Sequence, residues 1–311
     1  LPAFFFYHYN GYTEGMAKKA PDEARTSQAL YRAYRPQEFN EVRGQEHITS
    51  VLQAAVAQGK LAHAYLFAGG RGTGKTTMAR ILARAVGTAP EDVYEMDAAS
   101  NRGIDEIREL REGVATLPFN SAYKFYIIDE AHALTRDAWG ALLKTLEEPP
   151  AHAVFVLATT ELDRVPDTIV SRSQVHQFKK PSHEMLKKLV LDVAKKEGAS
   201  MESAAAELVA LMGEGSFRDT LSILQKVLTM SGDSKLTEDE VAKVVGAPSS
   251  GLVNNFLTAI ATKDISGAVA AFHTAVQGGA EPKVFILLAV TRVRAVLLLR
   301  FAPKLESELA E

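Results

Sequence analysis

Gly69-Gly70-Arg71-Gly72-Thr73-Gly74-Lys75-Thr76, with Thr77 behind it, fits the spacing G-x-x-x-x-G-K-[ST] of a phosphate-binding loop. The glycines let the backbone curl so that successive N–H groups point inward at a triphosphate. Lys75 is placed to reach the β- and γ-phosphate oxygens, and the Thr76 hydroxyl to ligate Mg²⁺. Further on, the apolar run Phe125-Tyr126-Ile127-Ile128 ends in Asp129-Glu130. Downstream of a complete phosphate loop, this pair reads as a Walker B element. Asp129 would hold the metal shell, and Glu130 would act as general base toward the attacking water. Thr160 closes another apolar run, and its hydroxyl either fixes that water or caps the following turn. Two arginines, Arg172 in Ser171-Arg172-Ser173 and Arg218 in Phe217-Arg218-Asp219, read as surface arginines from spacing alone.

These groups need a scaffold, and the patterning supplies one. The apolar run Ala64–Ala68 precedes the loop, and Met78, Ile81, Leu82 and Ala85 follow it at i, i+3, i+4 and i+7, so strand, loop and helix are contiguous. The helix dipole adds partial positive charge beneath the phosphates. A helix is expected from about Glu46 to Gln58, a strand over Val93–Asp97 and an amphipathic helix over Ile104–Val114. Next come a strand over 124–130, a helix over 138–146 stopped by Pro149-Pro150, a strand over 154–160 and a short strand over 175–178. Aliphatic strands of this kind need both faces covered, as in a parallel sheet, and their alternation with helices predicts a three-layer α/β sandwich. Past about Lys180 no strand is expected, only helical segments over 183–197, 201–213, 218–231 and 237–245, a hinge at Pro248–Gly251 and further helix over 252–311. The predicted units are an N-terminal extension over 1–27, a nucleotide domain over 28–180, a helical domain over 181–247 and a helical piece over 248–311.

Composition narrows the classes. The 311 residues are 47% hydrophobic and 23% charged, ordinary for a globular chain with two or three domains. A formal charge of -3 leaves nucleic-acid contact to local basic patches. The absence of cysteine excludes disulfides, thiol catalysis and cysteine zinc sites. Val284–Leu299 is interrupted by Thr291, Arg292 and Arg294, and is expected as a helix buried in protein rather than a membrane span. The aromatic stretch Leu1–Asn10 lacks the features of a signal peptide, and Met16-Ala17-Lys18-Lys19 looks like an ordinary cytoplasmic start. Residues 1–15 are therefore expected to be upstream translation or a disordered tail, which intact-mass analysis of the native protein would settle.

Several stretches together carry a resemblance. They are Tyr34-Arg35-Pro36, Phe39, Val42, Gly44-Gln45, the phosphate loop, Asp97-Ala98-Ala99-Ser100, Ile128-Asp129-Glu130, the run Leu142-Leu143-Lys144-Thr145-Leu146-Glu147-Glu148-Pro149-Pro150, Ala158-Thr159-Thr160 and Ser171-Arg172. The set closely resembles the gamma/tau subunits of bacterial DNA polymerase III, AAA+ ATPases that drive the sliding-clamp loader. The resemblance runs from about Leu30 to the end of the chain. It implies an α/β AAA+ sandwich with a parallel sheet, a small helical lid and an incomplete helical collar for oligomerisation. ATP and Mg²⁺ are the implied cofactors. Residues 30–45, with Tyr34, Arg35, Pro36 and Val42, would line the adenine pocket. Thr160 matches sensor 1, Arg172 the arginine finger that completes a neighbour's site, and Arg218 sensor 2 of its own site. The implied partners are further gamma/tau copies, delta and delta-prime in a hetero-pentamer, the beta sliding clamp and primer-template DNA, in the cytoplasmic replisome and with no membrane. Arg102 and Arg136, near the starts of two helices, would face the DNA; solvated surface charge is the alternative for each. No polymerase chemistry of its own is expected.

The chain departs from the family in three respects. Val86–Asp92 bridges directly where members carry four zinc-binding cysteines, so no zinc is expected. The family's Ser-Arg-Cys reads Ser171-Arg172-Ser173, and Glu311 is expected to fall partway through the collar, without a tau-type tail. The rival readings are another AAA+ remodeller, such as a helicase loader or branch-migration motor, a non-hydrolysing scaffold like delta-prime, and a small-molecule kinase.

Overall fold

A computed structural model describes residues 28–230 and 235–301. The expected N-terminal extension over 1–27, the Gly232-Asp233 break and the end of the chain from 302 lie outside the described residues.

Five parallel strands form the central sheet: β1 (Ala64–Gly69), β2 (Val93–Asp97), β3 (Lys124–Asp129), β4 (Ala153–Thr159) and β5 (Gln174–Phe178), in the order β2-β3-β4-β1-β5. Between them run α3 (Lys75–Ala85), α4 (Ile104–Val114), α5 (Arg136–Glu147) and the short α6 (Asp167–Val170), after α1 (Leu30–Ala33) and α2 (Glu46–Ala57). Successive strand residues point to opposite faces. Tyr65, Phe67, Phe125, Ile127, Val154 and Val156 therefore pack on α2 and α3. Leu66, Tyr126, Ile128, Phe155 and Leu157 pack on α4 and α5 through Ile107, Trp139 and Leu142. These two cores make the three layers, and the α/β class expected from alternation is the one observed.

The helix boundaries have local causes. Gly74 holds φ +104 and releases the loop into α3. Thr135 accepts the Ala138 N–H at the start of α5, and Pro149-Pro150 follows its end. Register then aligns the strand ends at one edge: Asp97 pairs with Asp129, Ala68 with Thr159 and Gly69 with Phe178. In an open parallel sheet, ligands bind beyond these carboxyl ends.

The remaining described residues are mainly helical: α7 (His183–Lys196), α8 (Ser203–Met212), α9 (Phe217–Met230), α10 (Glu238–Val245), α11 (Ser250–Ala261), α12 (Ile265–Gln277) and α13 (Pro282–Phe301). Val190, Val209, Leu224, Val227 and Val241 form the core of α7–α10, and Leu30 of α1 is buried in it. A second core, around Val253, Ala275 and Phe285, joins α11–α13. Among the described residues no helix is long and apolar enough to cross a membrane.

Two expectations need correction. Residues past 180 do contain strands: β6 (Ser200–Met201) pairs in parallel with β7 (Lys235–Leu236). Two residues per strand are too few for an alternation to register in sequence. The apolar stretch 284–299 is helical but not buried throughout. Phe285 and Ala289 pack in the core with α11 and α12 and Val284 is buried, while Val290, Val293, Val296 and Leu297 are exposed. Apolar residues lie around this helix rather than along one stripe, and among the described residues only part of its surface is covered.

Candidate functional site

The phosphate loop is held by side-chain hydrogen bonds to its own backbone carbonyls. Thr73 Oγ1 donates to the Gly70 carbonyl, and Lys75 Nζ donates to the Gly69 and Gly70 carbonyls, each at 2.9 Å. Gly69 has φ +152, and a Cβ there would meet the Phe178 carbonyl oxygen at 2.6 Å. Thr76 and Thr77 open α3 behind it, while Arg71 is exposed at the loop's crest.

Across the sheet edge, Thr76 Oγ1 donates to Asp129 Oδ2 at 2.7 Å. The two residues assigned to one magnesium thus touch directly, and hydroxyl plus carboxylate is the hard-oxygen set that suits this ion. Burial pushes the Lys75 ammonium down, with Arg218 adding to the effect, while the carboxylates of Glu130 and Asp129 oppose it. Glu130 follows with φ +49, a left-handed backbone uncommon for a residue with a Cβ, and its Oε2 accepts from Thr160 Oγ1 at 3.1 Å. Lys75, Thr76, Asp129, Glu130 and Thr160 therefore gather at one edge.

Arg218 reaches the same edge from the helical region. Phe217 N–H donates to the Gly72 carbonyl at 3.0 Å, so the leading turn of α9 sits on the phosphate loop. The Arg218 guanidinium lies 5.7 Å from the Tyr31 ring centroid. Arg35 is nearby: burial lowers its pKa first, then the charges of Arg80 and Arg218. Tyr34, by contrast, turns to α7 and donates to Glu197, and Val42 packs on the core beneath α2. Pro36 lies between Arg35 and Gln37, whose carbonyl accepts from Arg84 of α3.

Arg172 is held elsewhere. Its Nη2 pairs with Glu147 Oε1 at 2.9 Å, and Nη1 donates to the Thr168 carbonyl. Glu147 belongs to the Leu-Glu-Glu-Pro-Pro run and ends α5, so that run contributes a seat for the arginine. Arg102 and Arg136 are exposed and adjacent, because Thr135 N–H donates to the Arg102 carbonyl at 3.1 Å.

Sequence reasoning passed over three side chains here. Arg80, on α3, makes a two-pronged pair with Glu95 of β2 at 2.6 and 2.7 Å. The Lys180 side chain lies between Gly70 and Gly215. His132 sits between Glu130 and Glu161. Only His132 had a usable signal, its place two residues after the proposed base.

Comparison with known proteins places the chain among relatives. A family model described as "DNA polymerase III, delta subunit" matches residues 44–101 and 88–182. The tau subunit of DNA polymerase III from Bacillus subtilis is 41% identical over 303 residues, 91% of this chain and 54% of that one. The gamma/tau subunit from Mycobacterium tuberculosis H37Rv is 38% identical over 298 residues, 88% of this chain and 52% of that one. The gamma subunit from Buchnera aphidicola is 36% identical over 264 residues, 78% of this chain and 71% of that one. The chain thus spans about half the length of the Bacillus and Mycobacterium relatives. Among solved structures, the Thermotoga maritima RuvB Holliday junction branch migration motor superposes with a TM-score of 0.59 at 21% identity, over 82% of this chain and 91% of that one. At that identity the likeness is one of fold.

Proposed function

Because this chain belongs to the gamma/tau family of DNA polymerase III subunits, we propose that it is an ATP-hydrolysing motor of the clamp loader that places a sliding clamp on primed DNA. The observation that carries the reading is the Thr76–Asp129 contact at 2.7 Å beside Lys75, with Glu130 alongside.

The proposed units are an ATPase domain over 28–180, a lid over 181–247 and an oligomerisation collar from 248 onward. In the reaction, the oxygen of a water attacks the γ-phosphorus and the bond to the bridging β–γ oxygen breaks. Glu130 takes the water's proton, and ADP leaves with the bridging oxygen. Lys75 and Arg218 balance charge on the phosphoryl oxygens, and Thr160 keeps Glu130 aimed. Mg²⁺ held by Thr76 and Asp129 would neutralise the β- and γ-oxygens. Arg172 would leave Glu147 and complete the site of an adjoining copy, making turnover conditional on assembly. Arg102 and Arg136 would meet DNA phosphates.

Exposed apolar surface supports a collar that associates. A groove of about 710 Å³ is lined by Phe256, Ile260, Ile265, Val269, Phe272 and Ile286. Delta, delta-prime and beta-type clamp partners follow from the same reading. The matched family model is described as a delta subunit, and a non-hydrolysing scaffold like delta-prime is the alternative reading. Against it stands the complete set of Lys75, Thr76, Asp129 and Glu130.

Steady-state hydrolysis tests the proposal, measured with partner subunits, clamp and primed DNA. Lys75→Ala should lower kcat by about 10²-fold or more. Arg172→Ala should keep nucleotide binding while stimulated turnover falls. A Lys75→Ala chain that turns over like wild type contradicts the reading.

A further inference from the structure

His132 follows Glu130 in the same turn, a short 3₁₀ segment over Ala131–Ala133. Its side chain is only 13% exposed, and both ring nitrogens face oxygens. Nδ1 lies 3.0 Å from Thr159 Oγ1 and 3.6 Å from Glu130 Oε2, while Nε2 lies 3.3 Å from Glu161 Oε1.

Each of these oxygens is tied further. Glu130 Oε2 also accepts from Thr160 Oγ1, and Glu161 Oε2 pairs with Arg164 Nε at 2.9 Å. Thr159 Oγ1 donates to the Glu161 carbonyl at 3.1 Å and accepts the Glu161 N–H at 3.0 Å. The ring therefore bridges two connections, the one leaving β3 and the one leaving β4. Glu130 needs such a brace, because its left-handed backbone aims the carboxylate from a strained conformation.

Resting on the ATPase reading, we propose that His132 is a positioning residue for Glu130 and couples it to the Glu161–Arg164 turn. The imidazole limits where the Glu130 carboxylate can swing, so that it stays against Thr160. The same turn leads through α6 to Arg172. The group that activates water in one site and the arginine offered to the next thus lie at two ends of one short connection, with His132 as the joint. Displacing Glu161 moves the joint without touching substrate.

The test is hydrolysis by the chain in its assembled complex, with clamp and primed DNA, followed as kcat and KM separately. His132→Ala should lower kcat about 10- to 100-fold and leave KM for ATP unchanged, because the lost interaction acts in the transition state. His132→Gln, which keeps an amide donor, should recover part of the loss. Glu161→Ala should reproduce it, and the double variant should lose no more than the worse single one. Unfolding midpoints close to wild type would accompany these losses. Wild-type kcat in His132→Ala, or single losses that multiply in the double variant, overturns the coupling. A wild-type chain silent in the same assay removes the ATPase reading, and the coupling with it. Active wild type with unaffected variants removes the coupling alone.

Discussion

A methyl group at Gly72 would stand 2.0 Å from Ser216 Oγ, in a backbone at φ +69. Two constraints meet at one atom: the left-handed turn of the phosphate loop and the close seat of α9's leading turn upon it. The conformation alone costs an alanine about 1–2 kcal/mol, and the contact forces either Ser216 or the loop to move. Gly72→Ala is therefore expected to lower the unfolding midpoint and the ATP affinity together, read by calorimetry; unchanged values for both would contradict the seat. At this scale the sequence was most legible where chemistry fixes residue type and spacing. Lys75 and Thr76 are named by the loop pattern, and Asp129 by its place at the end of an apolar run. Arg80, Lys180 and Glu147 were not legible, because their partners come from other elements: Glu95 of β2, Gly215 ahead of α9, and Arg172 beyond α6.

At the scale of elements, β5 carries a buried charge problem. His176 packs between Tyr65 and Phe67 of β1, and its Nε2 has no hydrogen-bond partner among the described residues. Burial, with help from the nearby His47, holds its pKa below the ordinary histidine value. The folded chain thus resists a proton that the unfolded chain accepts. Stability from this group is intact above about pH 6.5 and erodes as pH falls from there toward the depressed folded value. The slope is at most about 1.4 kcal/mol per pH unit. His176→Phe should flatten that part of the stability–pH curve, measured by urea unfolding between pH 5 and 8; a curve parallel to wild type would reject the assignment. Helix Ile104–Val114 was legible to the residue, because its apolar positions repeat at helical spacing, and strand Val93–Asp97 also has the bounds expected of it. The exposure of α13 was not. Its apolar residues surround the helix, and periodicity cannot say which side a neighbour covers.

At the scale of the whole molecule, the site exists because the chain crosses the sheet between β1 and β2, and β4 and β3 then fill the space left open. The order β2-β3-β4-β1-β5 brings Gly69, Asp129 and Thr159 to one edge from residues far apart in sequence. Alternation of strands and helices announced a parallel sheet, but not that order, which depends on which strand pairs with which. Nor did it show that α1 is packed into the core of α7–α10, near Arg218, so that the first helix of the proposed ATPase domain is bound to the proposed lid. The central claim is that the loop at 69–76 and the acidic tip at 129–130 clasp a single magnesium triphosphate. A crystal grown with Mg²⁺ and a non-hydrolysable ATP analogue tests it most directly. The account predicts one metal ion about 2.1 Å from the Thr76 hydroxyl, with Asp129 in its coordination shell and Lys75 on the terminal phosphate. A triphosphate bound elsewhere, or a metal that Thr76 and Asp129 do not share, would contradict it.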